Sequence, residues 1–220
     1  MIKLEQLKKI FNTGGGEVAA LDGVDVDIKK GEFVAIMGRS GSGKSTMLNI
    51  LGCMDQPTSG RYLLSDQDVS RLNDDELSKI RNEYIGFVFQ SFHLLPRLTA
   101  LQNVMLPLRF ATPERQKSGQ KRAEELLDKV GLADRMHHLP NEMSGGQIQR
   151  VAIARSLINK PHVLLADEPT GNLDTKMSKQ IIDLIVDLNR QGQTIVMVTH
   201  EPDIAAHAGR TIRVLDGRIV

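Results

Sequence analysis

The chain has no tryptophan, a single cysteine (Cys53) and only 4% aromatic residues. One cysteine excludes an intrachain disulfide, so nothing covalent staples the fold, as fits a reducing compartment. Long apolar runs are also missing: none approaches the ~18 residues of a membrane-spanning helix. The opening residues, Met1-Ile2-Lys3-Leu4-Glu5, have no apolar core and carry an early acid, so no secretory signal is expected. Neither charge sign is in surplus, since 28 basic and 27 acidic residues leave a net charge of +1. That balance excludes a global field for nucleic acid, and any anion site must be local. There is no internal repeat and no low-complexity segment. At 220 residues, 40% of them hydrophobic and 25% charged, the chain suits one large globular domain or a domain with a small lobe.

Glycine is concentrated where it matters. Residues 38 to 46 read Gly38-Arg39-Ser40-Gly41-Ser42-Gly43-Lys44-Ser45-Thr46. Gly38 to Ser45 fit the phosphate-binding pattern G-x-x-x-x-G-K-[ST]. The apolar run Phe33–Met37 before it reads as a buried strand, and Ser45–Leu51 after it as a helix. Such a loop turns successive N–H groups inward toward phosphate oxygens. Lys44 adds a point charge near the β- and γ-phosphates, and the Ser45 hydroxyl suits Mg²⁺.

The remaining elements alternate in type. Ile2, Leu4, Leu7 and Ile10 predict a first strand, and Val24, Val26 and Ile28, alternating with Asp25 and Asp27, a second. Thr13-Gly14-Gly15-Gly16 between them predicts a turn or a flexible loop. Tyr62–Leu64, Ile85–Phe89, Val163–Ala166, Thr194–Val198 and Thr211–Leu215 predict further strands. Helices are predicted over Asp74–Arg81, around Ala123, Leu126, Leu127 and Val130 with a stop at Gly131, over Gly146–Leu157, and along Met177, Ile181, Leu184, Ile185 and Leu188. Alternation of β and α implies an α/β fold with a mainly parallel sheet, and the helix-rich middle implies an inserted lobe.

Two further stretches carry a resemblance. Met143-Ser144-Gly145-Gly146-Gln147 resembles the signature loop of ABC-type ATPases. Val163-Leu164-Leu165-Ala166-Asp167-Glu168 resembles their Walker B strand and catalytic glutamate. The resemblance spans essentially the whole chain. It implies a P-loop ATPase core with an antiparallel β subdomain over residues 1–90 and 159–220, and a helical subdomain over about 91–158.

The resemblance also implies roles. ATP and Mg²⁺ are the expected ligands. Lys44 and the rest of Gly38 to Thr46 would hold the phosphates, and Ser45, Gln90 and Asp167 the Mg²⁺. Glu168 would be the general base, with His200 and Gln90 orienting the water. Phe11 would stack on adenine, although an ordinary core Phe ending the first strand is the alternative. Ser144, Gly145, Gly146 and Gln147 begin a helix whose dipole favours an anion. In the family that anion is the γ-phosphate held by a second subunit, and Asp174 contacts that subunit. A homodimer around two ATP is therefore implied. Met143 stands where the family has Leu, a swap of similar size.

Leu51 to Gly60, Ile85 to Gln90, Leu94 to Ala100 and Gly171-Asn172-Leu173-Asp174 resemble the LolD/MacB/FtsE group more narrowly. That implies a separate transmembrane permease subunit in a transporter or mechanotransmission complex, with lipoprotein release, macrolide or peptide export, or control of cell-wall hydrolysis as the type of work, and a peripheral place on the cytoplasmic face of the inner membrane. No nucleic-acid partner is implied. A soluble ABC ATPase without a membrane partner is the alternative. The cluster Phe92, Leu94, Leu95, Leu98 and Leu101 either packs the helical lobe or forms a groove for the permease.

Overall fold

The computed structural model describes residues 1–14 and 16–220; Gly15, within the expected turn at 13–16, lies outside the described residues. In chain order the elements are β1 (Ile2–Thr13), β2 (Gly16–Ile28), β3 (Phe33–Met37), α1 (Lys44–Leu51), β4 (Ser59–Leu64), β5 (Gln67–Asp68), α2 (Asp74–Tyr84) and β6 (Ile85–Val88). The helical middle holds α3 (Ala100–Met105), a 3-10 turn at Leu106–Phe110, α4 (Pro113–Lys117), α5 (Gly119–Lys129) and α6 (Gly145–Leu157). The chain closes with β7 (Val163–Asp167), α7 (Thr175–Arg190), β8 (Thr194–Val198), α8 (Pro202–Ala205), β9 (Arg210–Leu215) and β10 (Arg218–Ile219).

Two sheets result. One is antiparallel, in the order β2-β1-β4-β5; the other runs β10-β9-β3-β8-β7-β6 and is parallel except for β10. The central strands β3, β7 and β8 are apolar on consecutive positions because both of their faces are covered. Alternate side chains go to opposite sides. Val34, Ile36, Leu165, Val196 and Val198 meet α1 and the antiparallel sheet in one core. Phe33, Leu164, Ala166, Ile195 and Met197 meet α3, α5, α6 and α7 in the other.

Local signals set the helix ends. Asn73 and Glu76 form a reciprocal cap on α2, which continues three residues past the expected Arg81 to Tyr84. Gly131, at φ 73°, lies just past the end of α5, where the left-handed conformation favours glycine. Helix α6 starts at Gly145, one residue earlier than expected, because Ser144 caps it.

Parallel register places the chemistry. Asp167 pairs with Val198 and Ile36 with Val198, so β3, β7 and β8 end at one edge. The Gly38–Ser45 loop, Glu168 and His200 all leave from that edge, where open α/β sheets gather ligands.

Candidate nucleotide site

The loop after β3 delivers a helix whose first turn is uncommitted. The N-cap of α1 is Gly43, and no side chain bonds the helix's first amides. Amides at a helix start carry the positive end of the helix dipole. Gly43 has φ 106°, and a Cβ there would lie 2.3 Å from the Ala20 carbonyl oxygen, so no other residue fits. Lys44 is buried at 8% exposure, and its Nζ donates to the carbonyls of Gly38 (2.9 Å) and Arg39 (2.8 Å). The ammonium is thus held over the loop by the loop's own backbone. Ser42 is buried, whereas Ser40 and Ser45 are exposed and Thr46 half-buried.

A cavity of about 960 Å³ opens at this loop. Gly38, Arg39, Ser40, Gly41, Lys44 and Ser45 line one side, and Glu168 and His200 another. His200 Nδ1 and Glu168 Oε1 are 2.9 Å apart. Glu168 takes φ 43°, a left-handed conformation that costs a non-glycine residue about 1–3 kcal/mol and clusters at working sites. Its backbone is fixed in place, with the N–H donating to the Val198 carbonyl at 3.0 Å. Burial raises the Asp167 carboxyl above its usual range, the charge of Glu168 adds to this, and Lys44 partly offsets it.

Other predicted residues lie elsewhere. Ser144, Gly145, Gly146, Gln147, Asp174, Gln90 and Phe11 do not line that cavity. Ser144 and Gln147 cap α6 reciprocally: Ser144 N–H donates to Gln147 Oε1 at 2.9 Å, and Gln147 N–H to Ser144 Oγ at 3.4 Å. A Cβ on Gly146 would sit 2.8 Å from Met177 Sδ, and one on Gly145 3.3 Å from Leu173. The glycines therefore let the loop lie flat against the start of α7, which Asp174 caps through Met177 N–H at 2.8 Å. Gln90 lies under Gly171, whose Cβ would meet its Nε2 at 2.7 Å, and its carbonyl accepts from Asn172 Nδ2 at 3.0 Å. Phe11 is not a core residue. It is 41% exposed, pairs with Val18 across the β1–β2 hairpin, and has Lys9 Nζ 5.0 Å from its ring centre.

Two residues of α6 escaped the sequence reading. Gln149 is fully buried and donates to the Pro169 carbonyl at 2.7 Å. Arg155 donates to the carbonyls of Phe92, at 2.7 Å, and His93, two successive residues at φ 59° and 50°. The available signal was a long polar side chain on a helix whose other faces read Val151-Ala152-Ile153-Ala154. The apolar cluster after Gln90 divides: Leu101 is buried and Leu94 packs against the second core, but Leu95 stays 45% exposed.

The donor set suits a hard cation. Of the expected oxygen donors Ser45, Gln90 and Asp167, Ser45 alone lines the cavity, and a nearby cation would favour the Asp167 carboxylate that burial now disfavours. Among the described residues no group of three or more His, Cys, Asp or Glu could hold a metal by itself. A metal here would need further oxygens from a ligand, such as those of a phosphate.

Known proteins share this sequence pattern and fold. A profile of the ABC transporter family matches residues 21–171. An uncharacterised ABC transporter ATP-binding protein of Bacillus subtilis, YvrO, is 54% identical over all of this chain and 96% of its own length. The macrolide export ATP-binding/permease protein MacB of Wolinella succinogenes is 50% identical, and the match covers all of this chain but 34% of MacB. Among solved structures, the dimeric bacterial ABC transporter cassette MJ0796 superposes with a TM-score of 0.88 at 49% identity, over all of this chain and 96% of that one. The same cassette has been solved as a dimer in a post-hydrolysis state bound to ADP and Pi, with a TM-score of 0.88 at 48% identity, again over all of this chain and 96% of that one. The chain belongs to the ABC transporter family, as an ATP-binding cassette that hydrolyses ATP.

Proposed function

We propose that this chain works as an ATP-sandwich homodimer driving a separate transmembrane permease subunit. The observation that carries the reading is the separation within one chain. Lys44, Ser45, Glu168 and His200 share a cavity, while Ser144, Gly145, Gly146 and Asp174 gather on a different surface. A second copy placed head to tail supplies the missing half, and the dimeric state of the MJ0796 cassette supports a pairing of copies.

In this reading the amides of Gly38 to Thr46 and the Lys44 charge hold the phosphates. Phe11 stacks on adenine from its exposed strand. Ser45, Asp167 and Gln90 hold Mg²⁺. When bound, Mg²⁺ offsets negative charge on the phosphate oxygens. Glu168 takes the proton of the attacking water, and His200, in contact with it, holds that carboxylate and the water in line. Ser144, Gly145, Gly146 and Gln147 meet the γ-phosphate held by the partner, with Asp174 at the same junction.

The permease has a candidate seat. A groove of about 670 Å³ between α2, β6 and the Leu106–Phe110 turn is lined by Ile85, Phe87, Phe89 and Phe110, and Phe110 is 79% exposed. It adjoins the segment after Gln90, so a helix seated there would feel that loop move. We place residues 91–158 in a lobe that turns with it. Among the described residues no helix is long and apolar enough to cross a membrane. MacB carries cassette and permease in one chain by its name, which supports export work here; lipoprotein release and a place at the cytoplasmic face of the inner membrane rest on the LolD/MacB/FtsE resemblance alone.

The test is Glu168→Gln. It should bind ATP, hydrolyse it at least about a hundredfold more slowly, and elute with Mg²⁺ and ATP at twice the monomer mass by light scattering. Wild-type turnover, or a monomer at saturating ATP, would count against the reading. Capture of the purified chain by detergent-solubilised membranes that express a candidate permease tests the partner.

A further inference from the structure

Gln149 lies one turn into α6, just past Gly145 and Gly146, and none of it is exposed. Its amide nitrogen donates to the carbonyl of Pro169 at 2.7 Å and faces the carbonyl of Phe89 at 3.5 Å. Reversing the amide would set oxygen against the Pro169 oxygen, so the donor orientation is fixed by chemistry. The other end, Oε1, is buried and has no protein hydrogen-bond partner among the described residues. A buried acceptor left unpaired is destabilising, and an apolar side chain of the same shape would avoid that. Protein bonds at the acceptor end therefore do not explain this residue.

Its two partners do. Pro169 follows Glu168, which is held at φ 43° in a turn closed by Gly171 N–H on the Glu168 carbonyl at 3.0 Å. Phe89 precedes Gln90. One amide on the signature helix thus touches both segments that carry the proposed water-handling groups. Pro169 has no N–H of its own, so this segment depends on its neighbours for anchorage. A helix transmits a small shift at its first turn to the next turn almost undiminished, since its backbone bonds are stiff.

We propose that Gln149 is a positioning residue that ties the signature loop of one chain to Glu168 and Gln90 of the same chain. Engagement of Ser144 to Gly146 with the partner's nucleotide then sets the Glu168 turn that serves the chain's own nucleotide. The two composite sites of a dimer are coupled through Gln149 in each chain. The inference rests on the sandwich reading above.

The test is Gln149→Met, which keeps length and volume and removes the donor. Purified full-length chain is assayed for Mg-ATP hydrolysis against ATP concentration, with Glu168→Gln run alongside. We expect kcat to fall tenfold or more, KM to stay within twofold, the Hill coefficient to drop toward one, and the melting temperature to hold or rise. If Gln149→Met does not fold, Gln149→Leu and Gln149→Glu are read by the same measures; ionised Glu cannot donate to Pro169 and should behave as the apolar variants do. A kcat within twofold of wild type, or losses of kcat and melting temperature together with an unchanged Hill coefficient, would overturn the proposal. If Glu168→Gln itself retained turnover, the reading of Glu168 as base would fall instead, which separates the two failures.

Discussion

Lys44→Met tests the loop and its ligand in one variant. The substitution keeps most of the buried stem and deletes the ammonium, with its bonds to the Gly38 and Arg39 carbonyls at 2.9 and 2.8 Å. Hydrogen bonds to charged groups contribute ~1.5–3 kcal/mol each when fully buried. Here Gly38 is half-buried and Arg39 exposed, so water recovers part of the loss. A net destabilisation of about 2 kcal/mol follows. For a domain of this size ~2–4 °C are lost per kcal/mol, so the nucleotide-free variant should melt roughly 4–8 °C lower than wild type. Nucleotide gives the second readout. ATP at a hundred times its Kd stabilises the wild type by about 2.7 kcal/mol, and the variant should lose most of that rise along with turnover. Scanning fluorimetry with and without Mg-ATP measures both. An unchanged nucleotide-free melting temperature would show that the folded-back ammonium contributes nothing. A wild-type rise with ATP would remove Lys44 from the phosphate site.

Asp167→Asn should separate stability from activity. The native-state pKa is raised, so the folded protein holds its proton more tightly than the unfolded chain, and stability falls as pH climbs through the native value. The variant should therefore melt higher than wild type at neutral pH without nucleotide, lose that advantage in acid, and lose Mg²⁺-dependent turnover; a pH series of melting curves decides it. Gly43→Ala combines an unfavourable φ of 106° with a Cβ 2.3 Å from a backbone oxygen. It should cost roughly 3 kcal/mol or more in chemical denaturation and abolish ATP binding, and a near-neutral result would contradict the loop geometry.

Much of this site was legible in the sequence because its chemistry is local. The P-loop needs Gly, Lys and Ser at fixed offsets between a strand and a helix, and an apolar strand ending in Asp167-Glu168 announces a carboxylate pair at a sheet edge. The helix stripes and the fully apolar strands likewise gave the α/β class, because burial on two faces leaves no polar alternation. What stayed hidden depends on contacts across the chain. Nothing near Gly146 says that Met177 will press on it, and nothing near Gln90 names Gly171 as its cover. Gln149 looked like one more polar residue on a helix until the Pro169 carbonyl came within reach. For Phe11, expected to stack on adenine with an ordinary core Phe as the alternative, only its 41% exposure in the β1–β2 pairing set the core alternative aside. The two-residue strands β5 and β10 are too short for any periodic signal.

The most direct test of the sandwich uses two inactive variants. Lys44→Ala should disable the loop, and Ser144→Arg should block the signature from reaching a partner's nucleotide while sparing ATP binding by its own chain. Each composite site pairs Lys44 of one chain with Ser144 of the other. In a mixed dimer one site carries both defects and the other carries neither. ATPase activity should therefore return when the two purified variants are mixed, to less than the wild-type rate if the sites act together. Full activity in either variant alone, no recovery in a mixture shown to form mixed dimers, or a crosslink joining Lys44 and Ser144 of the same chain around one nucleotide would contradict the account.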